Sequence, residues 1–272
     1  MPKHNILQFN LDDIAPDQWQ LLTKAHSLSF GRRLYRLQTS DACYWLKLQY
    51  QSVHEIVEQN YLHELNFYAT HTGLNCVLPT QYIDLTAQPE FSQTYSSLLL
   101  PHAPPWLGVA NDLSLTQIAT KILAMLESLD ELAQQGLIHA DLKQEHFVNW
   151  QGQLKLLDFE HIQPIAQIQP QLSATPRYMA PELFHAAPKT LQTELYALGI
   201  IVYEWLSGQR LKATTYQDWA ILHCQRLNIQ LPQRYQPFLS LLMGLTAKLK
   251  QARLSDIAAA KAEIAAIFSQ KF

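Results

Sequence analysis

Apolar and polar residues alternate over residues 26–50, where a polar stretch, Gln-Thr-Ser-Asp-Ala, interrupts the alternation. A period of two residues is typical of strands with one buried face, so we expect two strands joined by a turn. Over residues 53–70 the apolar side chains recur three or four positions apart, which predicts a helix. Two more strands are predicted at 77–85 and 95–100, on either side of a polar turn.

The second part of the chain has a mainly helical pattern. A long helix is predicted over residues 113–135, and Gly136 marks its end. Residues 193–208 are apolar on nearly all sides, as in a helix buried at the centre of a domain. Between these helices, two short apolar segments flank Gln151–Gly152 and predict a tight hairpin. Three further helices are expected, over residues 216–228, 235–249 and 255–269.

Composition and charge narrow the class of protein. Of 272 residues, 48% are hydrophobic and 16% are charged, so the chain can bury a sizeable core. The formal net charge of −3 argues against binding of nucleic acid, which usually needs a basic face. Three widely spaced cysteines are typical of free thiols in a reducing compartment. We expect a cytoplasmic protein, since the sequence shows neither a signal-peptide core nor an apolar run long enough to span a bilayer.

Two aspartates, Asp141 and Asp158, stand at the outer ends of the predicted hairpin. A hairpin that short brings its ends together, so both carboxylates should face one small volume, with Lys143 and His146 beside them. Phosphoryl transfer from a nucleotide needs a carboxylate to orient a hydroxyl, another to hold Mg²⁺, and a cation for the moving phosphoryl group. Because a single aspartate at a strand end is more often a turn or capping residue, the hypothesis depends on the joint pattern.

These residues resemble the catalytic loop and the metal-binding turn of the protein kinase superfamily, H-R-D-L-K-x-x-N and D-F-G. Here the two strings are His-Ala-Asp-Leu-Lys-Gln-Glu-His at 139–146 and Asp-Phe-Glu at 158–160. A third string, Thr-Pro-Arg-Tyr-Met-Ala-Pro-Glu at 175–182, looks like the end of an activation segment of the Ser/Thr type. The resemblance implies a bilobal α+β fold, with a small strand-rich lobe containing one main helix at 1–102 and a larger, mostly helical lobe at 103–272.

The resemblance implies catalytic and metal-binding roles for four residues. Asp141 would orient the acceptor hydroxyl and accept its proton, and Lys143 would stabilise the transferring phosphoryl group. Asp158 and His146 would hold Mg²⁺ or Mn²⁺.

The resemblance also implies a nucleotide site in the first lobe. Lys47, on a predicted strand, would contact the phosphates of ATP, and Glu64 of the following helix would pair with it. Glu58 and Glu55 of the same helix are the alternative partners. Gly31 stands where the family has a glycine-rich loop over the phosphates. Leu100 and His102 lie in a segment similar to the hinge, where backbone amides bind adenine. A lysine on a strand or a glutamate on a helix is more often solvated. The predicted pair therefore depends mainly on the order and spacing of the two residues along the chain.

Three contacts that stabilise the second lobe are implied as well. Thr175 should contact Asp141 and Lys143, and Glu194 should anchor the backbone of the catalytic loop. Arg253 should pair with Glu182, the last residue of the Ala-Pro-Glu string.

Several positions depart from the family pattern. Ala140 replaces an arginine that reads a phosphate on the activation segment in many kinases, so activity should not depend on phosphorylation of Ser173 or Thr175. His146 replaces a metal-binding asparagine, but lipopolysaccharide core heptose kinases look similar in having a histidine and phenylalanine at this spacing. Glu160 replaces a glycine and adds a negative charge near the metal site.

The glycine-rich loop is reduced to Gly31, and Arg32 and Arg33 follow it directly. These arginines could supply side-chain contacts to phosphate in place of backbone amides, or they could be solvated surface residues. The sequence leaves both interpretations open.

The sequence therefore predicts ATP-dependent phosphoryl transfer to a Ser or Thr hydroxyl of a protein substrate. One alternative is a small-molecule or glycolipid kinase on the same fold, suggested by the spacing from Asp141 to His146. The other is a pseudokinase that acts as a binding or regulatory module, although Lys47, Asp158 and their partners in the catalytic loop are retained. The acceptor, the partners and the oligomeric state are not predicted.

Overall fold

The computed structural model describes residues 19–165 and 174–269. These residues form two compact units, one containing 19–104 with 157–160 and the other containing 105–156, 161–165 and 174–269. The first unit is rich in strands and the second is mostly helical, which confirms the predicted α+β class. Ser173, one of the two residues on whose phosphorylation activity is predicted not to depend, lies outside the described residues.

The first unit contains the elements β1 Gln20–Leu21, α1 Ala25–Leu28, β2 Arg32–Gln38, β3 Cys43–Gln49, α2 Glu55–Thr70, β4 Gln81–Ile83 and β5 Ser97–Pro101. Its strands form an antiparallel five-stranded sheet with the order β1-β2-β3-β5-β4. Leucines of β2, β3 and β5 pack in its core together with Trp19, Leu85 and Phe91, because alternate side chains of a strand point to the same face. Helix α2 begins after His54, whose side chain accepts a hydrogen bond from the Val57 amide.

The second unit contains the elements α3 Leu115–Gln134, β6 Leu137–Ile138, β7 Phe147–Trp150, β8 Gln153–Leu156, β9 Gln163–Pro164, α4 Leu191–Ser207, α5 Tyr216–Ile221, α6 Leu239–Leu245 and α7 Ile257–Ser269. Helix α4 is buried at every position from Thr193 to Leu206, as its nearly uniformly apolar sequence predicted. The predicted hairpin is present as β7 and β8, and β6 pairs with β9.

Several predicted element boundaries were wrong. The first of the two strands predicted over residues 26–50 begins at Arg32 and not at residue 26, because Ala25–Leu28 form a helical turn. Gly31, between this turn and the strand, has a left-handed backbone with a φ of 82°. The predicted helix at 235–249 is interrupted: Pro237 has no amide hydrogen to donate, and residues 233–238 form a 3₁₀ helix before α6. After α5, residues 222–226 form a π-helical turn.

None of the helices within residues 19–165 and 174–269 combines the length and the apolar character that crossing a membrane requires.

Candidate functional site

Lys47 is the centre of a charge cluster in the first unit. Its ammonium nitrogen lies 2.6 Å from Glu64 Oε2, 2.7 Å from Glu160 Oε1 and 3.4 Å from Asp158 Oδ1. Strand β3 places Lys47 opposite Leu34 and Leu98 of the neighbouring strands, and only 17% of its side chain is exposed. The predicted pair of Lys47 with Glu64 is therefore present, but Lys47 has two further carboxylate partners.

Burial and charge together set the protonation of this cluster. Burial alone would lower the pKa of Lys47, but Glu160, Glu64 and Asp158 raise it well above the usual value. Burial raises the pKa of Glu64 to about 7, although Lys47 opposes this shift. The neighbouring Asp158 and Glu160 carboxylates contribute to that rise. Lys47 is thus firmly protonated, and three carboxylates compete for one ammonium group.

The turn at Asp158–Glu160 is held in the first unit by packing and by one hydrogen bond. Phe159 is fully buried, with its ring centroid 4.2 Å from that of Phe67 and 5.3 Å from that of Tyr68. Its amide donates a hydrogen bond of 3.2 Å to Glu64 Oε1. Asp158 has a φ of 66°, a left-handed conformation that aspartate tolerates better than most residues. The turn therefore presents the Asp158 carboxylate beside Lys47.

Carboxylate oxygens of Glu64, Asp158 and Glu160 lie within 4.8 Å of one another. Oxygen ligands of this kind suit Mg²⁺ and Mn²⁺. Lys47 Nζ contacts the same three carboxylates, and metal binding by Asp158 stays a prediction.

Gly31 and the two arginines after it have different surroundings. A Cβ atom at Gly31 would lie 2.6 Å from Gln49 Nε2, which donates to the Phe30 carbonyl. Arg33 donates to two backbone carbonyl groups, and its guanidinium lies 5.1 Å from the centroid of the Tyr50 ring. Arg32 Nη2, in contrast, donates a hydrogen bond to Glu160 Oε2. Sequence reasoning missed Glu160 as the common partner of Arg32 and Lys47.

Leu100 and His102 lie at the end of β5, next to β3. Leu100 is paired with Trp45 in the sheet register, and the His102 amide donates to the Cys43 carbonyl. The indole Nε1 of Trp45 donates a hydrogen bond of 3.0 Å to His102 Nδ1. Their role at adenine stays a prediction.

The Asp141 carboxylate of the second unit has partners on both of its oxygens. Lys143 Nζ lies 2.9 Å from Asp141 Oδ2, and both the amide and the hydroxyl of Thr175 donate to Asp141 Oδ1 at 3.0 Å. Burial tends to raise the pKa of Asp141, but Lys143, His161 and the Thr175 amide hold it below its usual value. Asp141 is therefore ionised at neutral pH, and its contact with Thr175 is the one that the sequence predicted.

The backbone before Asp141 is fixed from two sides. Glu194 accepts hydrogen bonds from the amides of His139 at 3.1 Å and Ala140 at 2.8 Å, as predicted. Lys189, which sequence reasoning missed because it belongs to no motif considered there, donates to the Ala140 carbonyl at 2.7 Å. These contacts hold Ala140 at a left-handed φ of 67°. Burial raises the pKa of Glu194 to about 7, although the two amides and Lys189 oppose this shift.

His146 is buried at the end of a 3₁₀ turn that leads into β7. Its ring stacks on that of His139, with centroids 5.2 Å apart and an interplanar angle of 29°. His146 and Asp141 belong to the second unit, whereas Asp158 belongs to the first. The expected common volume of Asp141 and Asp158, and the joint binding of a metal by Asp158 and His146, therefore stay predictions.

Comparisons with known proteins agree with the motifs. Residues 106–264 match the family model of the protein kinase domain. Serine/threonine-protein kinase PAK 5 of Rattus norvegicus is 35% identical over 97 residues, which cover 34% of this chain and 14% of that protein. Serine/threonine-protein kinase PAK 4 of Homo sapiens is 36% identical over 97 residues, covering 34% and 16% of the two chains. Serine/threonine-protein kinase TIO of Arabidopsis thaliana is 29% identical over 136 residues, which cover 48% of this chain and 10% of that protein.

The matches thus span only a small part of the length of these curated relatives.

Proposed function

Since the chain belongs to the protein kinase domain family, we propose that it transfers the γ-phosphate of ATP to a Ser or Thr hydroxyl of a protein substrate. The observation that carries the proposal is the environment of Asp141, an ionised carboxylate that contacts Lys143 at 2.9 Å and the Thr175 hydroxyl at 3.0 Å. The relatives PAK 5 and PAK 4 are named serine/threonine-protein kinases, which supports this acceptor class.

In the proposed reaction, Asp141 orients the acceptor hydroxyl and takes up its proton. The hydroxyl oxygen forms a bond to the γ-phosphorus, while the bond from that phosphorus to the bridging oxygen breaks and ADP leaves. Lys143 neutralises charge on the phosphoryl group during the transfer. Positioned proton acceptance of this kind contributes on the order of 10²–10⁴ in rate.

The nucleotide is assigned to the first unit. Lys47, held by Glu64, contacts its phosphates, and Gly31 allows the backbone to approach them. Leu100 and His102 offer backbone groups to adenine. Asp158, together with His146, is proposed to hold Mg²⁺ or Mn²⁺. A divalent cation bound there neutralises negative charge on the phosphates.

The proposal also covers the setting in which the protein works. Cys43, Cys76 and Cys224 are free thiols, which supports a reducing, cytoplasmic compartment. The expected partner is a protein with an accessible Ser or Thr.

A second candidate function is phosphorylation of a small molecule or glycolipid. It is supported by His146, which follows Asp141 at the spacing of the heptose kinases and is buried against His139. The retained Asp141, Lys143 and Asp158 are compatible with either acceptor.

The test is incorporation of label from γ-labelled ATP, using the purified protein and an extract of its own host. Parallel reactions contain Mg²⁺ or Mn²⁺, with Asp141→Asn as the matched control. Label in protein that is absent with Asp141→Asn supports the proposal, and label confined to small molecules or lipids supports the second candidate. If neither metal gives label that depends on Asp141, both are wrong and a binding module is favoured.

A further inference from the structure

One carboxylate, Glu160, is shared between two cations of the first unit. Glu160 Oε1 lies 2.7 Å from Lys47 Nζ, and Glu160 Oε2 accepts the hydrogen bond from Arg32 Nη2. The Glu160 side chain is 5% exposed, so the charge is largely removed from water. Lys47 and Arg32 together therefore form a site for an anion that presents two oxygens.

The ammonium group of Lys47 has one carboxylate neighbour to which it donates no hydrogen bond. Lys47 Nζ donates to Glu64 Oε2 at 2.6 Å and to Asp158 Oδ1 at 3.4 Å, whereas Glu160 Oε1, at 2.7 Å, accepts no hydrogen bond from the described residues. An ammonium has three protons to donate. A phosphate oxygen that accepts the third proton must displace the Glu160 oxygen, which lies against the same nitrogen.

Glu160 is the carboxylate best placed to leave. Glu64 is 2% exposed and also accepts the Phe159 amide, so its removal would break a second buried hydrogen bond. Asp158 accepts a hydrogen bond from Lys47 Nζ, whereas Glu160 Oε1 accepts none within the part of the chain that the structure describes. The other partner of Glu160 is Arg32, whose side chain is 29% exposed and can therefore follow an incoming anion.

Arg32 and Arg33 are adjacent, and among the described residues Arg32 is the one of the two that has an anionic partner. Arg33 donates hydrogen bonds to the carbonyl groups of Leu28 and Arg32, and its guanidinium lies over the Tyr50 ring. Guanidinium groups bind phosphate and carboxylate with the same forked geometry. The contact between Arg32 and Glu160 thus marks Arg32 as the arginine suited to phosphate.

We propose that a phosphate group of ATP replaces the Glu160 carboxylate at Lys47 and Arg32. Arg32 is then a nucleotide-binding residue, and Glu160 is an internal competitor that lowers the affinity for ATP. The inference rests on the proposed function, because it requires that the first unit binds a nucleotide. Of the two roles that the sequence left open for Arg32, contact with phosphate is favoured over a solvated surface position, and Glu160 gains a role as its competitor.

The experiment is calorimetric titration of the full chain with ATP and with adenosine, in EDTA so that metal binding does not contribute. Glu160→Gln keeps the shape and removes the competing charge. We expect this variant to bind ATP about tenfold more tightly, since a charge-assisted contact is no longer displaced. The affinity for adenosine, which has no phosphate, should be unchanged and shows that the variant is folded.

The role of Arg32 is tested in the Glu160→Gln variant, in which the ion pair of Arg32 with Glu160 is already removed. A further substitution of Arg32 then changes the affinity for ATP only through the contact of Arg32 with phosphate. Adding Arg32→Met should weaken ATP binding about tenfold, and adding the matched control Arg33→Met should leave it unchanged.

Two results would overturn the inference while adenosine still binds. One is an affinity for ATP that is equal or weaker in Glu160→Gln, and the other is equal effects of the two arginine substitutions. If neither ATP nor adenosine binds to any chain, including the unsubstituted one, the proposed function fails as well.

Discussion

Arg253 and Glu182 form a bidentate ion pair within the helical unit. Arg253 Nη1 lies 2.7 Å from Glu182 Oε1, and Arg253 Nη2 lies 2.9 Å from Glu182 Oε2. The Arg253 side chain has no exposed surface and also donates to the carbonyl groups of Ala247 and Gln192. Arg253 thereby connects the segment that follows α6 with Glu182 and with α4, which contains Gln192.

Removing one partner of this pair should destabilise the protein. Glu182→Gln leaves the Arg253 guanidinium buried without a counter-charge, so we expect the free energy of unfolding to fall by about 3 kcal/mol. Urea denaturation measures it. The matched control is Asp130→Asn, which breaks the more exposed pair of Lys261 with Asp130 and should cost less than about 1 kcal/mol. Equal losses in the two variants would contradict the prediction.

Gly31→Ala should destabilise the first unit and weaken ATP binding. The substitution places a side chain at a φ of 82° and a Cβ atom 2.6 Å from Gln49 Nε2. We expect a loss of about 1–3 kcal/mol in thermal or urea unfolding. Gly73→Ala is the matched control, because a Cβ atom there meets nothing within 4 Å. The interpretation of Gly31 is wrong if the two alanine variants are equally stable.

The contribution of His223 to stability should decrease as the pH falls from 6.5 towards 4. This histidine is fully buried and lies 2.9 Å from the Tyr196 hydroxyl, and burial lowers its pKa from 6.5 to about 4. Between those values the unfolded chain binds a proton that the folded chain does not, so this contribution falls with pH. The difference can reach about 3 kcal/mol. The raised pKa values of Glu64 and Glu194 act in the opposite direction.

The measurement is the free energy of unfolding of the unsubstituted chain and of His223→Gln at several pH values from 4 to 7. Other titrating groups are common to both chains, so the difference between the two curves isolates His223. Parallel curves would show that His223 does not titrate as described.

Activity should not require phosphorylation of the segment that contains Thr175. Ala140 offers only a methyl group as a receptor, and the Thr175 hydroxyl already donates to the ionised Asp141. A phosphate on Thr175 would bring a second negative group against that carboxylate. We expect phosphatase treatment to leave label transfer unchanged and Thr175→Glu to reduce it by about tenfold or more.

Thr175→Ser, which keeps the hydroxyl, is the matched control and should retain activity. Mass spectrometry of the treated protein checks that phosphate is absent. Restoration of an inactive preparation by phosphorylation of Ser173 or Thr175 would refute the prediction.

Contacts that follow motif spacing could be predicted from the sequence. The pair of Lys47 with Glu64, the anchoring of the catalytic loop by Glu194 and the hydrogen bond from Thr175 to Asp141 are all present. Each joins residues whose positions are fixed by regular elements or by a short motif, so their order along the chain was informative.

Contacts without a motif could not be predicted. For Glu160 the sequence predicted only a negative charge near the metal site. Its contact with Arg32 was missed because the two residues are 128 positions apart and no periodic pattern relates them. Lys189 was missed for a similar reason. The alternation through residues 26–30 is too short to distinguish a strand from the helical turn that is present at Ala25–Leu28.

The first unit is completed by residues 157–160, which are synthesised long after the rest of it. Until they emerge from the ribosome, the aromatic rings of Phe67 and Tyr68 lack Phe159, and Lys47 lacks two of its three counter-charges. The nascent sheet can form its leucine core earlier, but its lysine has only Glu64 as a partner. We therefore expect this unit to become fully resistant to proteases only after translation has passed residue 160. Folding of the first unit is then completed only when a later part of the chain has been synthesised.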